Sequence, residues 1–155
     1  MARYAVKLPC RSKSLLFVLF DEEESGLVGS KQFATKLKND GTSIHSVHTI
    51  DQMGWDQDGD RAIELELPDT GLRELYEAAV MKLGVTIAMK NTSTGSTDHA
   101  SFRPTFLAIG LTEEYTSGDT TPYYHKVGDT YDTINFPYLL STTVLVNQVV
   151  ADLTR

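Results

Sequence analysis

Ser14 to Phe20 is a near-continuous apolar run, and Asp21-Glu22-Glu23-Glu24 comes directly after it. A strand with one wet face would alternate, so an unbroken run reads as a strand covered on both faces. Six apolar residues, Leu15 to Phe20, fall far short of the ~20 that span a bilayer. Arg3, Lys7, Arg11 and Lys13 before the run imitate a secretory leader, but carboxylates stand after it where small residues would mark a cleavage site. The run therefore predicts a buried strand that stops at an acidic turn. In open α/β sheets ligands bind beyond the carboxyl ends of strands, so that turn is a candidate site.

The rest of the chain alternates strand and helix signals. Residues 26–38 carry Leu27, Phe33, Ala34 and Leu37 on one side, a helix that Asn39-Asp40-Gly41 stops. Ser43–Ile50 and Ala62–Leu67 read as strands, and Asp58-Gly59-Asp60 between them as a hairpin turn. Leu72, Leu75, Tyr76, Ala79 and Leu83 recur at helical spacing up to Gly84. Val85–Met89 and Thr105–Leu111 are short buried strands, and Asn91 to Thr97 is a polar loop. Pro137 suits the first turn of a last helix carrying Leu140, Val144, Val149 and Leu153. No linker divides the 155 residues, which read as one domain of an α/β sheet with helices on both faces. The loop from Thr112 to Asn135 is long enough to be functional rather than idle.

Charge narrows the partners. The net charge of −7 is segregated, +2 over residues 1–50 and −9 over residues 51–155. Such a surface repels phosphate backbones and argues against a nucleic-acid binder. The single cysteine, Cys10, excludes an internal disulfide framework and a thiolate-based zinc site. Oxygen and imidazole groups stand just past the predicted strands: Asp21 to Glu24, Asp51-Gln52, Asp98-His99 and Tyr124-His125. Ligands of that kind suit zinc, manganese or cobalt in a hydrolytic site.

Four motifs in order then resemble one family. Phe-Asp-Glu-Glu-Glu-Ser-Gly-Leu-Val-Gly-Ser at 20–30, Ile-Asp-Gln-Met-Gly at 50–54, Thr-Asp-His-Ala-Ser-Phe at 97–102 and Tyr-Tyr-His at 123–125 are similar to those of the co-catalytic zinc exopeptidases. These include leucyl aminopeptidases, glutamate carboxypeptidases and glutaminyl cyclases. The resemblance implies a three-layer α/β/α fold with a mostly parallel mixed sheet, here the carboxy-terminal part of a catalytic domain without its first strands. It implies Glu23 as general base, Glu24 and His125 as ligands of one zinc, and Asp51 as a ligand of the second. It implies Asp98 as an acid behind the ligands and Tyr124 as a hydrogen-bond donor to a developing oxyanion. Peptides are the implied substrates, and export to the periplasm or outside the cell is the implied compartment.

The family's remaining ligands, a histidine and an aspartate bridging both metals, come from upstream of the glutamate pair, and residues 1–20 contain no His, Asp or Glu. Neither His45 nor His48 replaces them. At ~3.3 Å per strand residue His45 lies ~20 Å from Asp51, and His48, three residues away, points to the opposite face. The expectation is therefore at most one zinc of the family's two, negligible activity of this chain alone, and self-association through an exposed sheet edge. Glutaminyl-cyclase-like acyl transfer and a non-catalytic binding module are the competing readings. His99 reads as structural. Asp56-Gln57-Asp58-Gly59-Asp60 is no calcium loop, because its glycine is misplaced and the twelfth position is Leu67.

Overall fold

Short β-branched and alternating segments make the sheet, and amphipathic segments between them make the helices. The computed structural model describes residues 1–9 and 11–155; Cys10 lies outside them. In chain order the elements are α1 (Ala2–Ala5), α2 (Val28–Asn39), β1 (Val47–Ile50), β2 (Ile63–Glu66), α3 (Leu72–Leu83), β3 (Met89–Thr92), α4 (His99–Phe102), β4 (Ala108–Thr112) and α5 (Phe136–Leu153). A 3-10 turn at Tyr131–Thr133 precedes α5. The strands form a sheet in the order β1-β4-β2-β3. β1 runs parallel to β4 and β2 parallel to β3, while β2 and β4 are antiparallel.

Register divides the sheet into two unlike faces. Ile50, Leu111 and Leu65 lie side by side across β1, β4 and β2. That face packs on α3 and α5 through Tyr76, Ala79, Tyr138, Leu145 and Val149, the larger apolar core. One residue along, Thr49, Gly110 and Glu66 are lateral partners on the other face, with Glu64 beside Thr112. There α2 and α4 cover only the lower part, where Ala34, Leu37, Phe102 and Ala108 make a second core. The upper part stays polar, and Asp51 continues β1 onto it. The result is three layers with a mixed sheet in the middle.

Local chemistry sets the helix ends. Asn135 caps α5 by accepting from the Tyr138 backbone N–H at 3.1 Å, and Pro137 fills the first turn. Gly84 ends α3 with φ +64°, a left-handed conformation glycine takes without a Cβ clash.

Three sequence expectations change. Ser14–Phe20 is not a strand: it pairs with no described strand and is largely exposed, Leu16 at 65% and Leu19 fully so. Only Phe20 turns inward, its ring 5.8 Å from Phe33 and 5.7 Å from Phe102. Apolarity supplies a reason to be buried but no pairing partner, and the segment has none among the described residues. The short strand expected at Val85–Met89 instead occupies Met89–Thr92, because the register pairs Ile63 with Met89; Ile87 is buried without being in the ladder. The segment at 58–60 is a turn but not a hairpin, since β4 lies between β1 and β2. Asp58 and Asp60 fold it by accepting from backbone N–H groups two residues on, at 3.1 and 2.7 Å.

Candidate metal and proton-transfer site

The acidic turn is built by the start of α2. Backbone carbonyls of Asp21, Glu22 and Glu23 accept from the N–H groups of Gly29, Val28 and Leu27, so the turn folds back on the helix. Gly29 is required there, because a Cβ would come within 2.5 Å of the Asp21 carbonyl oxygen. The turn presents Glu23, half-buried, and Glu24, exposed, to one cavity.

Asp51 enters from the end of β1. Its N–H donates to the Leu111 carbonyl at 3.0 Å, and the Gln52 carbonyl accepts from Glu113 N–H at 2.8 Å, which extends the β1–β4 pairing past the strand ends. The Glu113 side chain is almost wholly buried and pins the adjoining loop, accepting from Gly54 N–H at 2.8 Å and Trp55 N–H at 2.7 Å. Burial pushes its carboxyl up from the usual range, opposed by those backbone donors.

Tyr124 and His125 come from the long loop. It is tied down by Trp55, whose indole N–H donates to Asp119 at 3.0 Å and whose ring meets Tyr123 edge-on at 5.8 Å. His125 Nε2 lies 2.6 Å from Glu24 Oε1. Its ring stacks on Tyr124 at 3.9 Å, and Tyr124 meets Tyr115 at 5.5 Å.

Glu23, Glu24, Asp51, Tyr124 and His125 thus line one cavity of about 500 Å³. Glu24 and His125 form a close pair, and Asp51 stands apart from it: no trio of these ligand atoms falls within 4.8 Å among the described residues. Asp98, at the N-cap of α4, does not line the cavity, but its charge reaches Glu23 and Asp51. One of its carboxylate oxygens is buried with no partner among the described residues. Burial raises the Glu23 carboxyl above its ordinary value, helped by Glu24, Asp51 and Asp98 and opposed by His125. Burial also raises Asp51, opposed by the Gln52 N–H and reinforced by Asp98 and Glu24. Carboxylates crowded this way repel one another, and a cation relieves the repulsion. Oxygen and imidazole donors of the Glu24–His125 pair are of the type that binds a divalent ion, whereas Asp51 offers a single carboxylate apart from them.

Backbone strain marks the same place. Glu22, Gln52 and His125 have φ of 55°, 46° and 55°, left-handed values that non-glycine residues adopt at a cost of about 1–3 kcal/mol. Two flank the carboxylates at 23 and 51, and the third is a ligand candidate itself.

Sequence reading missed the buried glutamates. Glu64 and Glu66 alternate in β2 like solvent-facing residues, yet all of β2 is buried. Glu64 accepts from Thr116 N–H and Oγ1 and from Ser117 Oγ. Glu66 lines the cavity itself. His99, expected to be structural, is fully buried, with Nδ1 2.7 Å from Thr97 Oγ1. His48 is on the α3 side of the sheet, where its Nδ1 meets the Tyr76 hydroxyl at 2.9 Å. Oxygens of Asp58, Glu114 and Asp119 also come within 4.8 Å, but indole, backbone and lysine donors already engage them.

Comparison with known proteins places this geometry in context. The sequence model of Peptidase family M28 matches residues 1–150. A protein of Arthroderma benhamiae described as "Probable leucine aminopeptidase" is 26% identical over 133 residues, 83% of this chain and 36% of that protein. The chain thus spans little more than a third of that curated relative. Two solved structures share the fold. BSAP, a zinc aminopeptidase from Bacillus subtilis, superposes with a TM-score of 0.85 at 21% identity, covering 96% of this chain and 38% of that one. A glutaminyl cyclase from an Acidobacteriales bacterium gives 0.66 at 21% identity, covering 83% and 46%.

Proposed function

This chain belongs to peptidase family M28, and on that footing we propose that its cavity is the aminopeptidase-type part of a hydrolytic centre acting on peptide N-termini. The observation that carries the reading is that Glu23 shares one cavity with Glu24, Asp51, Tyr124 and His125, half-buried, with burial and then Glu24 and Asp51 raising its carboxyl above the ordinary value. Glu24 and His125 would hold one divalent ion, and Asp51 would contribute a single ligand to a second that these residues do not complete, with zinc the choice that the likeness to BSAP favours. When bound, such ions polarise the scissile carbonyl and acidify water.

Glu23 takes a proton from the attacking water at a carboxylate oxygen and returns it to the leaving amine. Tyr124, partly buried beside Glu24 and Asp51, has its phenol raised by burial first and by Tyr115 and those carboxylates next. It therefore stays protonated and able to donate to a developing oxyanion. The stacked His125 holds that ring in place.

The test has two parts. Zinc titration of the purified chain is expected to find at most one firmly held ion and negligible leucine p-nitroanilide hydrolysis. Two tightly bound ions with turnover would overturn the ligand assignment. A chimera taking the residues upstream of Asp21 from a zinc aminopeptidase is expected to hydrolyse the substrate. In it, Glu23→Gln and Tyr124→Phe should each lower kcat by about 10²-fold or more with KM little changed. Cyclisation of glutaminyl peptides without hydrolysis by the chimera would favour the cyclase-like reading, which the shared fold keeps in view.

A further inference from the structure

We propose that Glu66 is an acidic floor to this cavity and takes the terminal ammonium of a lysine-type side chain, so that the site selects basic N-terminal residues. The inference rests on the peptide-substrate reading above and adds to it a determinant of which peptide is chosen.

Of the buried glutamates near the site, Glu64 has donors on both oxygens, whereas Glu66 and Glu113 line the cavity itself. Glu64 is held by Thr116 and Ser117, and Glu113 by the backbone of Gly54 and Trp55. Glu66 has a single donor. It is 2% exposed, its Oε2 accepts from Thr97 Oγ1 at 2.6 Å, and no described residue donates to its other oxygen. A buried carboxylate with an idle oxygen is costly unless something charged or donating completes it.

No described residue supplies that completion. No lysine or arginine lines the cavity among the described residues. The neighbouring imidazole, His99, has Nδ1 3.5 Å from Glu66, but burial and then Arg103 push its pKa down to about 4, so it is neutral. Burial, then the charges of Asp51, Glu64 and Glu23, push Glu66 up to about 7 against the Thr97 hydrogen bond. Among the described residues lining the cavity the carboxylate therefore has no counter-charge, and like charges surround it.

The position is also shaped. Glu66 faces Gly110 in the β2–β4 register, and a Cβ there would come within 2.6 Å of His99 Nδ1 and closer still to Glu66. Met53, Trp55, Ile134 and Leu139 line the same cavity and offer apolar contact to an aliphatic stem. A compact ammonium at the end of a four-carbon stem suits such a cavity and brings the three donors that an acceptor-only floor needs.

Calorimetric titration of the purified chain with L-lysinamide and L-norleucinamide tests this without requiring turnover. The two ligands share the aliphatic stem and differ at its end, ammonium against methyl. Wild type is expected to bind lysinamide about tenfold or more tighter, as a charge-assisted hydrogen bond implies. Glu66→Gln should bring the ratio close to one, while Glu113→Gln should leave the preference in place. If Glu66→Gln does not fold, Glu66→Asp keeps the charge but retracts it by one methylene, and the preference should fall several-fold. Equal affinities in wild type, no binding of either amide, or a preference undiminished by both Glu66 variants would overturn the proposal. A lysinamide preference with no hydrolysis by the chimera would fail the peptidase reading alone, and hydrolysis without the preference would fail only this one.

Discussion

His48, His99 and Glu66 show how burial sets charge one residue at a time. Burial, with His45 nearby, pushes His48 down to about 4, and His99 falls equally far. Both would titrate near 6.5 when unfolded, so between pH 4 and 6.5 the unfolded chain binds more protons. Their contribution is present above pH 6.5 and is lost as pH falls towards 4. Glu66 behaves oppositely. Its folded value of about 7 exceeds the unfolded 4.5, so the folded chain binds more protons and its contribution shrinks as pH rises from 4.5 to 7. The two slopes partly cancel. Glu66→Gln removes the second, and urea unfolding across pH 4.5–6.5 should show the variant losing stability on acidification more steeply than its parent. Indistinguishable slopes would mean that Glu66 is not held near neutrality in the folded chain.

At the scale of elements, the sheet explains why the site is polar on one face only. Thr49, Gly110 and Glu66 form a lateral row that ends in hydrogen-bonding chemistry, while Ile50, Leu111 and Leu65 form a row that ends in the core. Gly110 is the residue that lets β4 pass under Glu66 and His99. Gly110→Ala overpacks that row, and the expected cost is about 1–3 kcal/mol of unfolding free energy. The denaturation midpoint should fall with an unchanged m-value. A midpoint equal to wild type would show that the row has room to spare. The motifs at 20–30 and 50–54 were legible because they lie at the start of α2 and the end of β1, and that at 123–125 because it lies in the long loop, where side-chain identity is chemistry rather than packing. Val85–Met89 was misplaced because the strand that forms, Met89–Thr92, is polar and carries no apolar pattern, and only its pairing with β2 defines it.

For the whole molecule, the exposed segment from Leu16 to Leu19 is the counterpart of the failed strand expectation. Leu16, Phe17, Val18 and Leu19 all stand open to solvent, and such contiguous apolar surface drives association. Sedimentation velocity of the purified chain is expected to show concentration-dependent association that Leu16→Glu with Leu19→Glu reduces. A monomer at every accessible concentration would argue that the segment folds against the chain in solution. No helix among the described residues is long and apolar enough to cross a membrane.

The order of residues was enough to establish the alternation of helices and strands beyond residue 26, the acidic turn at 21–24, and the side chains Glu23, Glu24, Asp51, Tyr124 and His125 that the fold gathers. These are local or ordered signals: a period, a stop residue, a motif at an element's end. Only in three dimensions was it settled that Glu64, Glu66 and Glu113 lie inside, that His48 and Asp51 face opposite sides of the sheet in fact as well as by spacing, and that Ser14–Phe20 stays outside. Burial of a charge depends on which neighbours supply donors across tens of residues, and pairing of a strand depends on whether an edge is there to receive it. Neither quantity is written in the residue that bears it.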